Sequence, residues 1–144
     1  FPLVSIIPHV GTLFALMNLS KESKAMIDVL LIDDERHFLS SLAEGLELYS
    51  KRLNIIPADN GDKALQILKP AVMDVVVTDL NMPGMTGYEL LNQIRITHPY
   101  VPVIIMSANC QSSVANRLSG LRIAQYIEKP LELGDMANAI LSAA

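Results

Sequence analysis

The sequence is short of several things at once, and each shortage removes a class of explanation. It has one cysteine, Cys110, so no internal disulfide can form; this fits a reducing, cytoplasmic compartment, and nothing around Cys110 suggests an activated thiol. It has no run of basic residues and a formal net charge of -4, so this segment is not expected to bind nucleic acid directly. Internal repeats and low-complexity stretches are absent, as are helix-turn-helix, cyclase and kinase motifs. Charged residues make up 18% of the chain against 51% apolar, a balance that excludes disorder. What is present is 144 residues, enough for one domain with a real hydrophobic core.

The first 25 residues differ from the rest. Residues 1–19 contain no Lys, Arg, Asp or Glu, and Ser20-Lys21-Glu22-Ser23-Lys24 then forms a short polar linker. A signal peptide wants a basic start and a small-residue cleavage site, and neither is evident. A membrane span wants about 18 uninterrupted apolar residues, whereas Pro2, Pro8, His9 and Gly11 interrupt this stretch, so membrane insertion is not expected. One short helix fits residues 10–19. The chain does not open with Met, and residues 1–25 read as an N-terminal extension: an accessory helix or upstream remnant, with an artefact and a membrane-proximal segment as alternatives. The domain itself is expected over 26–144.

From Met26 onward the pattern alternates strand and helix. Helices are expected over 35–50, with Phe38, Leu42, Leu46 and Tyr49 on one face; over 61–69, capped by Asn60 and stopped by Pro70; over 87–97, capped by Thr86 with Leu90, Leu91 and Ile94 inward; more weakly over 110–119; and over 133–142. Strands fit 27–32, 54–58, 74–78, 102–106 and 123–127. Pro57 and Gln125 mark the second and fifth as edges. Five strands alternating with five helices predict an α/β fold: a doubly wound five-stranded parallel sheet, order 2-1-3-4-5, with helices on both faces.

That order places the first and third strands side by side. Ile32 runs into Asp33-Asp34, and Thr78 runs into Asp79. Ligands bind outside the carboxyl ends of the strands in such sheets, so three carboxylates converge there. Carboxylates without a counter-charge repel one another, and an oxygen-only donor set suits a hard divalent ion, Mg²⁺ before Zn²⁺. Taken singly, each Asp reads as a turn residue or helix cap; three at strand ends argue for a site. Ser107 and Lys129 follow the fourth and fifth strands on the same edge. A hydroxyl and an ammonium beside the carboxylates look arranged around a phosphoryl oxygen, and the Lys129-Pro130 bond is a candidate for the cis form.

At this point the chain resembles a response-regulator receiver domain of two-component signalling. The resemblance covers 26–144 and rests on Val29-Leu30-Leu31-Ile32-Asp33-Asp34-Glu35, Thr78-Asp79-Leu80-Asn81-Met82-Pro83-Gly84-Met85-Thr86-Gly87-Tyr88-Glu89-Leu90-Leu91, Met106-Ser107-Ala108 and Tyr126-Ile127-Glu128-Lys129-Pro130. It implies that Asp79 is the phosphoacceptor. It also implies that Asp34, Asp79 and the Asn81 main-chain carbonyl hold Mg²⁺, with Asp33 acting through water. By the same resemblance Ser107 and Lys129 bind phosphoryl oxygens, Ala108 leaves room beside them, and Ser107 and Tyr126 form the switch. The implied partners are a sensor histidine kinase or phosphotransfer protein, and a second receiver in a homodimer or a downstream output domain. The face that changes is the helix over 110–119, the fifth strand and the last helix. No enzymatic role is implied beyond self-phosphorylation from phosphodonors and self-dephosphorylation. Both a stand-alone regulator and the receiver part of a longer protein fit the chain.

Two features depart from the family pattern. Ser stands at 107 where Thr is more common, and Ser119-Gly120-Leu121-Arg122-Ile123-Ala124-Gln125 lacks the familiar Gly-Ala-Asp lead into the fifth strand. Three other readings compete. A haloacid-dehalogenase-like phosphohydrolase needs a second Asp two residues after the nucleophile as general acid, and Asn81 occupies that place. A flavodoxin-like flavin binder needs a phosphate-accepting loop after the first strand, where Asp33-Asp34-Glu35 repel phosphate. A degenerate receiver serving only as a docking module lacks one or more of the five site residues, all of which are present here.

Overall fold

A computed structural model describes residues 26–108, 116–118 and 120–144. The expected extension over 1–25 and most of the helix expected over 110–119, including Cys110, lie outside these residues. In chain order the elements are β1 (Ile27–Ile32), α1 (Arg36–Tyr49), β2 (Leu53–Ala58), α2 (Gly61–Leu68), β3 (Val75–Asp79), α3 (Gly87–Thr97), β4 (Val103–Ser107), β5 (Gln125–Glu128) and α4 (Leu133–Ala143). The five strands form one parallel sheet in the order β2-β1-β3-β4-β5, as the alternating pattern predicts, with Pro57 and Gln125 on the edges.

Parallel strands buried on both faces lose the visible polar-apolar alternation of a half-exposed sheet, yet side chains still alternate in space. Val29 and Leu31 of β1 share a core with Leu39, Leu42 and Leu46 of α1 and Met136 and Ile140 of α4. Leu30 and Ile32 point the other way, into a second core with Ala64 and Leu68 of α2 and Leu90, Leu91 and Ile94 of α3. Each face of the sheet is therefore roofed by two described helices.

Capping follows the sequence. Asn60 Oδ1 accepts the Lys63 N–H at 2.8 Å and Thr86 Oγ1 accepts the Glu89 N–H at 3.3 Å, which satisfies otherwise orphaned donors at the starts of α2 and α3. On α1 the structure corrects the expected face. Leu39, Leu42 and Leu46 are buried, whereas Phe38 is only partly covered and Tyr49 is 52% exposed. Leu39 brings the centre of the apolar stripe round the helix, so that Phe38 and Tyr49 fall at its margin.

Candidate functional site at the carboxyl edge of the sheet

Asp33 lies one residue past β1, Asp79 is the last residue of β3, and these strands are hydrogen-bonded neighbours with Ile32 opposite Thr78. Carboxylate oxygens of Asp33, Asp34 and Asp79 lie within 4.8 Å of one another. Asp33 and Asp79 are buried and Asp34 is exposed. The convergence inferred from the strand order is present.

Lys129, one residue beyond β5, reaches across this edge. Its Nζ donates to Asp33 Oδ2 at 2.6 Å and to Asp79 Oδ2 at 3.0 Å. The remaining oxygens are also engaged: Asp33 Oδ1 accepts the Glu35 N–H at 2.9 Å, and Asp79 Oδ1 accepts the Asn81 N–H at 3.1 Å. Lys129 thus pairs with both Asp79 and Asp33, and the contact to Asp33 is the shorter. The Lys129-Pro130 bond is cis, and the Lys129 N–H donates to the Ser107 carbonyl at 2.8 Å. Ser107, the last residue of β4, is buried beside Glu128 of β5, and Ala108 beyond it is exposed. Tyr126 sits in β5 opposite Ile105 and is 36% exposed.

Charge on this edge does not balance. Burial pushes the Asp33 carboxyl above its ordinary value; the hydrogen bond from Lys129 and the one from the Glu35 N–H pull it down, and the Asp79 charge adds to the upward push. Burial also works against the Lys129 ammonium, but the bonds to Asp33 and Asp79 outweigh that cost and its pKa rises. The two shifts pull in opposite senses on one contact. The ammonium gains because two carboxylates surround it, while Asp33 must share that single cation with Asp79. Three carboxylates against one ammonium leave room for further positive charge, and a donor set made only of oxygens fits Mg²⁺.

The loop after Asp79 is held by close backbone approach. A Cβ on Gly87 would run into the Asp79 carbonyl oxygen and Leu80 Cα, and Gly84 takes a positive φ of 77°. Thr78 Oγ1 donates to the Asp79 carbonyl at 3.0 Å.

Three residues near or behind the site make contacts that the sequence did not announce. Phe38 places its ring 4.4 Å from Lys129 Nζ, a cation–π contact that explains why this aromatic stays at the margin of the core. Asp59, a fourth carboxylate just past a strand, pairs with Arg36 and Lys63 at 3.1 Å each and stays outside the cluster. Arg95, in the last turn of α3, donates to the carbonyls of Leu121 (2.6 Å), Val101 (2.7 Å) and Arg122 (2.9 Å). It thereby clasps the atypical lead into β5, where Arg122 takes a φ of 54°. A basic residue in a last helical turn is a recognised signal for carbonyl binding, but its reach to residues 26 and 27 positions away is not written locally.

Comparison with known proteins agrees with this architecture. Residues 29–141 match the response regulator receiver domain family. The chain is 34% identical over 106 residues to the response regulator protein FleR of Pseudomonas aeruginosa, covering 72% of this chain and 22% of that protein. It is 30% identical over 116 residues to the cell cycle response regulator CtrA of Brucella ovis, covering 78% of this chain and 47% of that protein. The chain thus spans less than half the length of these relatives. Among solved structures, a response regulator receiver domain protein from Clostridium thermocellum superposes with a TM-score of 0.74 at 28% identity, covering 82% of this chain and 94% of that one. The chemotaxis protein CheY4 of Vibrio cholerae shares the fold, with a TM-score of 0.77 at 21% identity over 83% of this chain and 100% of that one. With the family match spanning most of the chain and the sheet order and acidic edge in place, this protein belongs to the response regulator receiver domain family of two-component signalling.

Proposed function

We propose that the domain accepts a phosphoryl group on Asp79 from a phosphohistidine of a sensor histidine kinase or phosphotransfer protein, in the cytoplasm and with Mg²⁺. The observation that carries this reading is the cluster of three carboxylates served by one ammonium at the carboxyl edge. An Asp79 carboxylate oxygen attacks phosphorus, the bond from phosphorus to the imidazole nitrogen breaks with its electron pair going to that nitrogen, and the ring, protonated at its other nitrogen, leaves as neutral imidazole on the donor. Asp34, Asp79 and the Asn81 carbonyl are the residues that would hold the ion. Asp33 would act on it through water. When bound, Mg²⁺ offsets the repulsion between the carboxylates and the incoming phosphoryl oxygens. Lys129 and Ser107 take those oxygens, and Asn81 stands where a hydrolase would need an acid, which argues against the phosphohydrolase reading.

The same proposal includes a switch. A phosphoryl group adds strong acceptors at Asp79, draws Ser107 toward them and lets Tyr126 turn inward, shifting the face around β5 and α4 between two arrangements. Incubation with acetyl phosphate and Mg²⁺ should add the mass of one phosphate. That gain should vanish in Asp79→Asn and in EDTA. A modification that persists in Asp79→Asn places the acceptor elsewhere and overturns the assignment.

A further inference from the structure

Phe38 stands in the first turn of α1, and that turn is tied to the acidic edge. The Glu35 N–H donates to Asp33 Oδ1 at 2.9 Å, and the Leu39 N–H donates to the Glu35 carbonyl at 2.9 Å. The ring is partly buried and packs against the core that Val29 and Leu31 share with α1. Backbone and core together therefore fix where the ring lies relative to Asp33. Lys129 is less constrained by its own chemistry, because it reaches the site on a flexible four-carbon stem with large rotamer freedom. Its Nζ lies 2.6 Å from Asp33 Oδ2, 3.0 Å from Asp79 Oδ2 and 4.4 Å from the centre of the Phe38 ring. The side chain of Lys129 is only 17% exposed, so water competes little with the attraction of a cation to the negative face of the ring.

We propose that Phe38 is a positioning residue for phosphoryl transfer: its ring face holds the Lys129 ammonium at the carboxyl edge while that ammonium passes from the Asp33 and Asp79 carboxylates to a phosphoryl oxygen. This deepens the phosphoacceptor reading above and rests on it. The three contacts of the ammonium respond differently to the reaction. An acyl phosphate removes the Asp79 carboxylate charge and brings phosphoryl oxygens that compete for the cation, so the anionic contacts must exchange. The ring has no formal charge and takes no part in that exchange, so its attraction for the ammonium persists throughout. An aliphatic side chain at 38 would still cover the lysine stem, but it has no negative face to keep the ammonium from swinging toward solvent between one anion and the next. Phe38 thus acts through Lys129, and the electron density of its ring separates this role from that of a side chain that only fills the margin of the core.

The full 144-residue chain is labelled with acetyl phosphate and Mg²⁺, and the rate of mass gain is compared in Phe38→Leu, in Phe38→Tyr and in chains carrying mono-, di- and trifluorophenylalanine at position 38. Fluorine drains the ring face of electron density with little change of shape. The rate should fall about three- to ten-fold in Phe38→Leu, stay within about two-fold of the parent in Phe38→Tyr, and decline stepwise along the fluorine series. Urea unfolding is followed on the same chains: the fluorine series should lower the midpoint stepwise when Lys129 is present and leave it level in the Lys129→Met background. A Phe38→Leu chain labelled at the parent rate overturns the proposal. So does a rate that falls in Phe38→Leu yet is level across the fluorine series, because the ring is then a filler. A parent chain that takes no phosphate on Asp79 overturns this role together with the phosphoacceptor reading, whereas normal labelling of the parent without a fluorine trend overturns this role alone.

Discussion

Lys129→Met is the most informative single change, because it removes charge while keeping an apolar stem against Phe38. The ammonium lies 2.6 Å from Asp33 Oδ2 and 3.0 Å from Asp79 Oδ2, and the side chains involved are 17%, 1% and 9% exposed. At an effective dielectric of about 20 the gross attractions come to about 6 and about 5.5 kcal/mol. Desolvation of the three groups and repulsion between the two carboxylates cancel much of this. What remains on removing one partner of a buried pair is about 3–5 kcal/mol. In urea at pH 7 without Mg²⁺, a loss of that size lowers the unfolding midpoint by about 2 M. The pH dependence separates the groups. Lys129 has a raised folded pKa, so its stabilisation is complete below its unfolded value of 10.5 and is lost only as pH rises through the folded value. Asp33 also has a raised folded pKa, so it penalises the fold above that value and the penalty is relieved as pH falls toward 3.8. In Lys129→Met the cause that held the Asp33 pKa down is gone, so the gap between variant and parent should narrow as pH falls from 7 toward 4. Adding Mg²⁺ at pH 7 should also narrow it. A loss under about 1 kcal/mol, or a gap that is flat in pH and indifferent to Mg²⁺, refutes the view that this lysine offsets a buried acidic cluster.

Three further outcomes are expected. Asp34→Ala should weaken Mg²⁺ binding about ten-fold or more while Asp33→Ala weakens it less, because Asp34 is the exposed member of the cluster; calorimetric titration decides it, and equal losses would sink the division of roles. Gly87→Ala should destabilise the domain by about 1–3 kcal/mol and slow acetyl-phosphate labelling, since its Cβ meets the Asp79 and Leu80 backbone rather than a movable side chain; urea unfolding and labelling rate are the readouts. Arg95→Ala should cost about 1.5–3 kcal/mol and raise amide exchange over 121–124, and Arg95→Lys should not restore it, because one ammonium cannot serve carbonyls on both sides of a guanidinium fork.

Much of this was legible in the residues, for physical reasons that can be named. The strand order could be read because Pro57 cannot sit inside a sheet and because β1, β3 and β4 are too apolar to lie at an edge. The acidic edge followed from that order, since Asp33 and Asp79 meet only if β1 and β3 are neighbours. The caps Asn60 and Thr86 carried short-range signals that the structure honours. The burial of α1 was misread by one position, because Phe38 and Leu39 are both apolar and only the Lys129 contact explains why the aromatic stays at the margin. The preference of Lys129 for Asp33 at 2.6 Å, and the clasp of Arg95 on the lead into β5, are tertiary facts with no local pattern to announce them.

These two long-range cations bear on one strand from opposite ends. Arg95 fixes the chain at Leu121 and Arg122, four and three residues before Gln125 opens β5. Lys129 fixes it at the other end, where its main-chain N–H is bonded to Ser107 and its ammonium to Asp33 and Asp79. β5 is only four residues long, so both of its ends are set by charge as much as by the β4 ladder. A phosphoryl group on Asp79, as proposed, changes the charge that Lys129 faces and so acts directly on one of those two fixings. The other rests on neutral carbonyls and does not change with it. On that proposal the strand is held at its start while its end is re-aimed, which moves Tyr126 without requiring the sheet core to rearrange. On the proposed reading, a short edge strand between a constant clasp and a charge-dependent one carries a local change at Asp79 to the surface beside α4.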